Sequence, residues 1–446
     1  MKPSDVHATI AKHLPAGSEP IVLDVEGSHG PYLRDALTGK EYIDFFTYFA
    51  SAPVGHNHPK MHDSDFIEKM MSVAITKPSS SDFFTTYMAE FVETFAKHIM
   101  PSTMQHLFLI AGGALAVENA LKVAFDWKVR RNIATFSKPP TGRMHKIDGM
   151  GSKIIHFREA FHGRSGYTMS MTNTNDERKY MYFPKFDWPR VMNPKLRFPV
   201  TDEVLADVKR AEEIAITQIQ YAVQQHPGDI AGLIIEPIQG EGGDNHFRPE
   251  FFKELRRLAD EHEFLLIMDE VQSGMGITGK MWAVEHMGIE PDIIVFGKKS
   301  QVCGFIAGPR IDDVPNNVFE EESRINSTWG GDLTDMVRSQ RFIEIMAEEK
   351  LVDHTAKMGD KLIAGLQSVA DGSKGFLDNV RGRGMMVAFD TPSGAERDAL
   401  LARMKDNGVY ALSCGNRSVR FRGTLDTPAD IIDKTLEILQ ASLPKA

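Results

Sequence analysis

Residues Phe264–Gly279 read FLLIMDEVQSGMGITG, and residues Pro291–Ser300 read PDIIVFGKKS. Each begins with an apolar run rich in branched side chains, Phe264–Met268 and Ile293–Phe296, of the length and composition of a buried strand. Each run ends in polar chemistry: Asp269 and Gln272 after the first, Lys298 after the second. Open α/β sheets bind ligands beyond the carboxyl ends of their strands. The two stretches therefore predict a parallel sheet with an acid, an amide and an amine gathered at one edge.

Working outward, the same grammar recurs from about residue 100 to 330. Strand-like runs at His106–Ile110, Lys153–Phe157, Ile230–Ile235, Phe264–Met268 and Asp292–Phe296 alternate with helical patterns, as in consecutive βαβ units. Between Pro249 and His262, Phe251, Phe252, Leu255 and Leu258 keep helical spacing, and Pro249 suits a first turn. Residues 1–59 are rich in turns. After about 345 a helix over Ala347–Ala370 is expected, then short strands around Gly384–Phe389 and Ser418–Phe421, then a closing helix. The expected fold is α/β: a large domain (60–340) with a mostly parallel central sheet. A small α+β domain is built from both chain ends, 1–59 and 341–446.

A chain of 446 residues with 42% hydrophobic and 25% charged residues is long enough for a large core and ordinary for a globular protein. Its net charge of −10 argues against a nucleic-acid surface. The start, MKPSDVHATIAKHLP, lacks the apolar core of a signal peptide, and no apolar run approaches the ~18–20 residues of a membrane span. With two cysteines, Cys303 and Cys414, a disulfide framework is excluded and a reducing cytoplasm is expected.

Seven segments invite a chemical reading. In LFLIAGGALAVENALKVAFDWK, a strand ends at Ile110 and glycines open a long helix near Gly113 and Ala114. Unpaired backbone N–H groups at such a terminus suit a phosphate, though a plain strand–helix turn reads the same way. In FREAFHGRSGYT, Phe161 could stack on an aromatic ring and Arg164 could fork a carboxylate; singly, an aromatic is more often core and an arginine more often solvated surface. In GLIIEPIQGEGGD, Glu236 and Glu241 follow a buried strand, among glycines that let backbone approach a ligand. Thr328 in INSTWGG offers a hydroxyl and Arg420 in SVRFRG a second carboxylate fork. GHNHP (Gly55–Pro59) could start a metal site but has no second cluster of zinc spacing, so a structural turn is expected. Gly274-Met-Gly-Ile-Thr-Gly279 matches the dinucleotide fingerprint. That reading fails because Asp292, the acid about 20 residues on, begins a strand rather than ending one, and Asp269 and Glu270 would face the pyrophosphate. No G-x-S-x-G elbow marks a serine nucleophile.

A lysine and an acid at neighbouring strand ends suit pyridoxal 5′-phosphate, whose aldehyde needs an amine and whose ring nitrogen needs a carboxylate. Together, GHNHPK, GGALAVENALK, AFHGR, EPIQGEGG, DEVQSG, PDIIVFGKK, STWGG and SVRFR resemble, in order and across essentially the whole chain, the class III aminotransferases of PLP fold type I. The 29 residues from Asp269 to Lys298 match that family's interval. FGKKSQVCG, GGALAVENALKVAFDWK and INSTWGGDLTDMVR resemble most the branch acting on the ε-amine of L-lysine.

The resemblance implies a role for each residue. Lys298 carries the cofactor and moves protons; it is preferred to Lys299 because the family lysine lies six residues after the strand-leading acid, here Asp292. Asp269 faces the pyridine nitrogen, Phe161 stacks on the ring, and Gln272 bonds its phenolic oxygen. Gly113 and Ala114 hold the phosphate with Thr328 of the partner subunit in a homodimer. Glu236 borders the substrate. Arg164 takes the distant carboxylate of the amine donor, Arg420 takes the α-carboxylate of glutamate, and Glu241 neutralises Arg420 when the donor enters. The implied reaction is L-lysine + 2-oxoglutarate giving 2-aminoadipate 6-semialdehyde, which cyclises, and L-glutamate. Ornithine or 4-aminobutyrate could replace lysine. An aminomutase of the same fold has no need of a glutamate switch, and a non-catalytic PLP-domain regulator would need a DNA-binding segment. Two departures stand out: Gly423-Thr424 replaces a Pro-Pro pair, and Lys299–Gly304 lacks the paired glycines of the wider class.

Overall fold

The computed structural model describes residues 1–15, 19–79, 82–140 and 146–444. Near the start, β1 (Tyr32–Arg34) and β2 (Glu41–Asp44) pair antiparallel. The central sheet holds β3 (His106–Ile110), β4 (Lys153–Phe157), β5 (Arg190–Val191), β6 (Ile230–Ile235), β7 (Leu265–Asp269), β8 (Ile293–Phe296) and β9 (Cys303–Ala307). Its order is β3-β9-β8-β7-β6-β4-β5. The pairings from β8 through β5 are parallel; β9 runs antiparallel to both neighbours. This is the mixed α/β architecture of PLP fold type I.

Every residue of β6, β7 and β8 is buried, because helices cover both faces of the sheet. Successive side chains feed opposite cores, following the strand period of two. Ile234, Leu265, Ile267, Ile293 and Val295 pack under the helix Gly113–Thr135 with Ala116, Leu121, Ala124 and Trp127. Leu233, Ile235, Leu266, Met268, Ile294 and Phe296 face the other core, with Phe251, Phe252, Leu255 and Leu258 of the helix Pro249–Glu261. Each such burial stabilises by about 1.5–3 kcal/mol, so this double-sided layer is a stiff support for what lies at its carboxyl edge.

Toward the C-terminus, β10 (Asp378–Arg383), β11 (Met386–Asp390), β13 (Leu412–Cys414) and β14 (Ser418–Arg422) form an antiparallel sheet, order β10-β11-β14-β13. The short β12 (Val409–Tyr410) instead pairs parallel with β2, joining the two chain ends. Among the described residues no helix is long and apolar enough to cross a membrane.

Three sequence expectations need correction. The strand expected at Phe264–Met268 is shifted by one residue, so that Asp269 is its last member. β9 was not anticipated: Cys303–Ala307 is short and follows the polar Lys299–Gln301, and its pairing depends on partners distant in sequence. The helix expected over Ala347–Ala370 is two helices, Leu333–Glu348 and Leu351–Gly372. They break at Lys350, held left-handed (φ 52°), with no glycine or proline to signal the turn. The first of these helices spans two cores: Leu333, Met336, Val337 and Ile343 join the central-sheet core, Ile345 and Met346 the C-terminal one.

Candidate active site

The carboxyl ends of β6, β7 and β8 open into a cavity of about 590 Å³, within the range of ~300–1,000 Å³ usual for small-molecule sites. Its wall contains Gly113, Ala114, Phe161, Arg164, Glu236, Asp269, Gln272 and Lys298. Eight residues singled out from sequence thus converge across 185 positions of chain. His162, Gly163, Val271, Ser51, Gln301 and Cys303 complete the wall.

The two adjacent lysines have separate fates. Lys298 stands in the cavity wall with φ 53°, two residues past β8, and among the described residues its Nζ makes no hydrogen bond. Burial, then the nearby Arg420 and Arg422 charges, lower its pKa to about 8, so the neutral, nucleophilic amine is within easy reach. Lys299 turns away. Its Nζ donates to Ala52 O (2.7 Å) and Gly423 O (3.2 Å), tying the sheet edge to both chain ends. Burial lowers its pKa as well, to about 7, but those carbonyls occupy it and it is 2% exposed.

Asp269, the last residue of β7, accepts from Val271 N at Oδ1 (3.1 Å) and from His162 Nδ1 at Oδ2 (2.7 Å). The His162 ring is buried and its Nε2 has no partner among the described residues. Glu236 accepts Phe161 N at Oε1 (2.9 Å) and Gly240 N at Oε2 (3.1 Å), and burial raises its pKa to about 7. Expected to border the substrate, Glu236 does line the cavity, and it also fixes the loop that presents Phe161.

The cofactor's charged groups find matching chemistry. Gly112, the N-cap of the helix Gly113–Thr135, adopts φ 99° and offers no side-chain cap, so the first N–H groups of that helix stand bare beside the cavity. Gln272 Oε1 accepts from Arg420 Nη1 (3.3 Å) and from Arg422 Nε (3.1 Å) and Nη2 (2.8 Å). That leaves its NH₂ to donate, as an anionic oxygen requires. A Cβ on Gly240 would run into the Gln272 amide, so a side chain there would displace it. Arg422 is itself anchored on Asp244 through both oxygens (Nη1–Oδ2 2.8 Å). The residues present fit pyridoxal phosphate: a bare helix terminus, an acid, an amide donor and an amine.

Around this lies a rim of charge. Arg164 is exposed and, among the described residues, has no hydrogen-bond or ion-pair partner. Arg420 is 3% exposed; its Nη2 donates to Glu241 Oε2 (2.7 Å), while the other carboxylate oxygen, Oε1, meets Lys179 Nζ. Burial opposes the Glu241 charge, but Arg420 and Lys179 outweigh it and hold the carboxyl down to about 2. Thr328 is exposed and lies outside its own chain's cavity; its carbonyl accepts from Ser79 Oγ (2.6 Å).

The remaining motifs are structural. His56 of GHNHP bonds Asp44 Oδ2 (2.9 Å), and Gly55 N donates to Asp426. Gly274–Gly279 forms turns rather than a helix, and Glu270 staples them by accepting Ala283 N (2.6 Å) and Val284 N (2.8 Å). Asp292 accepts Leu266 N (2.7 Å) and pairs with Arg256 (3.0 Å), joining β7 to β8. Where the wider family has Pro-Pro, the Gly423-Thr424 loop is held by Thr427 Oγ1 donating to Thr424 O (2.8 Å) and by Lys299. Sequence reading missed His162, although it adjoins Phe161, because a lone buried histidine has no spacing signature. Lys179 was missed because it lies 62 positions from Glu241.

This fold and this cavity define a class of enzyme, and comparison with known proteins identifies it. The model of the family "Aminotransferase class-III" matches residues 13–443, and the chain belongs to that family of PLP-dependent aminotransferases. Among individual relatives, it is 46% identical to the L-lysine-epsilon aminotransferase of Mycobacterium tuberculosis over 444 residues, 99% of this chain and 96% of that one. It is 44% identical to that of Amycolatopsis lactamdurans, covering 98% and 95%. Identity to the mitochondrial 4-aminobutyrate aminotransferase of Mus musculus is 32%, over 90% of this chain and 80% of that one. A solved structure of the M. tuberculosis lysine aminotransferase in its internal aldimine form superposes with a TM-score of 0.94 at 45% identity, covering 100% and 99%.

Proposed function

We propose that this aminotransferase moves the ε-amino group of L-lysine to 2-oxoglutarate, giving 2-aminoadipate 6-semialdehyde and L-glutamate. The observation that carries the reading is the pairing of buried Arg420 with Glu241 close to Lys298, with Arg164, unpartnered among the described residues, on the cavity wall. Bound pyridoxal phosphate supplies the electron sink that makes the substrate C–H bond acidic. When it is bound, Asp269, oriented by His162, would hold its ring nitrogen, Gly113 and Ala114 its phosphate, Gln272 its phenolic oxygen and Phe161 its ring face. Lys298, its pKa lowered to about 8, carries the proton from the reacting carbon and returns it.

An ε-amine donor holds its only carboxylate far from the reacting carbon, whereas glutamate holds one next to it. Arg164 serves the distant carboxylate. Arg420 serves the near one, and Glu241 covers Arg420 while the donor is bound, since a buried guanidinium left unpaired is costly. The gap between 43–46% identity to lysine enzymes and 31–32% to 4-aminobutyrate enzymes also supports lysine over 4-aminobutyrate. A mutase, which keeps its amine on one molecule, has no use for the Arg420–Glu241 pair.

We also propose a cytoplasmic homodimer in which Thr328 of the partner subunit completes the phosphate site. The exposure of Thr328 and Trp329 (40%), and the contacts of Lys77 and Ser79 with that segment, support a protein-covered face there. We place the domain divisions near 59/60 and 340/341; the helix Leu333–Glu348, with one end in each core, supports the second. The function is tested with purified protein, pyridoxal phosphate, 2-oxoglutarate and a panel of lysine, ornithine and 4-aminobutyrate. Lysine is expected to give the highest kcat/KM; a higher value for either shorter amine would overturn the assignment.

A further inference from the structure

Glu241, beside the cavity, is held by two cations at once, and its second cation has no part in the reaction described above. Oε2 accepts from Arg420 Nη2 at 2.7 Å; Oε1 meets Lys179 Nζ. Lys179 ends the short 3₁₀ turn Glu177–Lys179, and its side chain is 15% exposed. The neighbouring acid, Asp176, is committed elsewhere: it takes Arg178 through both oxygens (2.7 and 3.0 Å) and lies 4.0 Å from Lys179. The Lys179 amine also lies over the Phe161 ring, 5.7 Å from its centre, and that ring lines the cavity.

Beyond Glu241 lies a second cavity of about 360 Å³, bordered by Asp176, Arg178, Lys179, Glu241 and Arg397. It gives the Glu241 carboxylate room to withdraw from Arg420 without leaving Lys179. We propose that Lys179 is a specificity-determining positioning residue: it retains Glu241 when a dicarboxylate takes Arg420, so that every charge stays paired in both half-reactions. With the amine donor bound, Glu241 bridges Arg420 and Lys179. With 2-oxoglutarate or glutamate bound, the ligand's near carboxylate pairs with Arg420, and Glu241 pairs with Lys179 alone. Without Lys179, a carboxylate only 23% exposed would have to be released unpaired, and it would compete harder for Arg420. Lys179 thus lowers the barrier to acceptor binding and leaves donor binding nearly untouched. This rests on the proposed role of Arg420 in binding the near carboxylate.

The test uses the holoenzyme with glutarate, an unreactive dicarboxylate, measured by calorimetry, alongside the two half-reactions followed by cofactor absorbance. Lys179→Met is expected to weaken glutarate by about tenfold, to slow the 2-oxoglutarate half-reaction in parallel, and to change the lysine half-reaction by less than about threefold. Lys179→Arg is expected to restore glutarate binding. In a Glu241→Gln background, Lys179→Met is expected to leave glutarate affinity unchanged, since the group to be retained is neutral. Unchanged glutarate affinity in Lys179→Met, equal losses in both half-reactions, or a loss that persists with Glu241→Gln would each overturn the proposal. A wild-type enzyme that takes lysine but neither binds glutarate nor accepts 2-oxoglutarate would instead overturn the reading of Arg420 beneath it.

Discussion

On one side of the cavity, Asp269 is bonded to His162 at 2.7 Å and both oxygens of Glu236 accept backbone N–H groups. On the other, Arg164 has no partner among the described residues, and Glu241 is shared between Arg420 and Lys179. The first set is 5% exposed or less and belongs to strand ends locked into a two-sided core. The second includes an exposed arginine and a carboxylate beside open space. The contrast follows from what each side meets. A resident cofactor always presents the same groups, so fixed hydrogen bonds serve it and their rigidity costs nothing in turnover. Two alternating substrates with different charge patterns need partners that can be exchanged.

Substitutions should therefore separate by side. Lys298→Ala is expected to have the largest effect, a fall in kcat of about 10²–10⁴-fold. Borohydride reduction of the holoenzyme followed by peptide mapping should find the label on Lys298 in the wild type and none in the variant. Label on Lys299 would erase the distinction between the two lysines. Arg164→Ala is expected to raise KM for lysine by about tenfold, the worth of one charged hydrogen bond, with a smaller change in kcat. A kcat effect as large as that of Lys298→Ala would mean that Arg164 belongs to the fixed side. Lys299→Met is expected to leave labelling at Lys298 intact while costing about 1–3 kcal/mol of unfolding free energy, measured by denaturant titration, for its two carbonyl bonds.

The same contrast governs what could be read from sequence. Asp269 and the Lys298-Lys299 pair were legible as polar groups where buried strands end, while the choice of Lys298 over Lys299 came from the family's spacing. Gly113 and Ala114 were legible as a strand followed by a glycine-opened helix. His162 and Lys179 were not, since their importance rests on a partner 107 positions away for the first and 62 for the second. The turn Thr47–Ala50 was equally hidden. It places four consecutive non-glycine residues in left-handed conformation (φ 43°, 53°, 59°, 71°) beside the cavity residue Ser51. Left-handed backbone costs about 1–2 kcal/mol per residue, and no local pattern announces it. It is sustained by tertiary bonds, among them Thr47 Oγ1 to Arg422 O (2.8 Å) and Asp44 Oδ1 accepting Thr47 N (2.8 Å). β9 likewise exists only through its neighbours in the sheet.

On the proposed reading, an exchangeable charge, more than the fixed cradle, decides which amine of lysine reacts. The most direct measurement is the ratio of 6-semialdehyde to 2-oxo product from lysine, resolved by mass spectrometry, in the wild type and in Glu241→Ala. With Arg420 uncovered, the α-carboxylate of lysine should dock on it and bring the α-amine to the reacting position, so the share of 2-oxo product should rise by about tenfold. An unchanged product ratio would show that Glu241 does not govern Arg420, and would contradict the account.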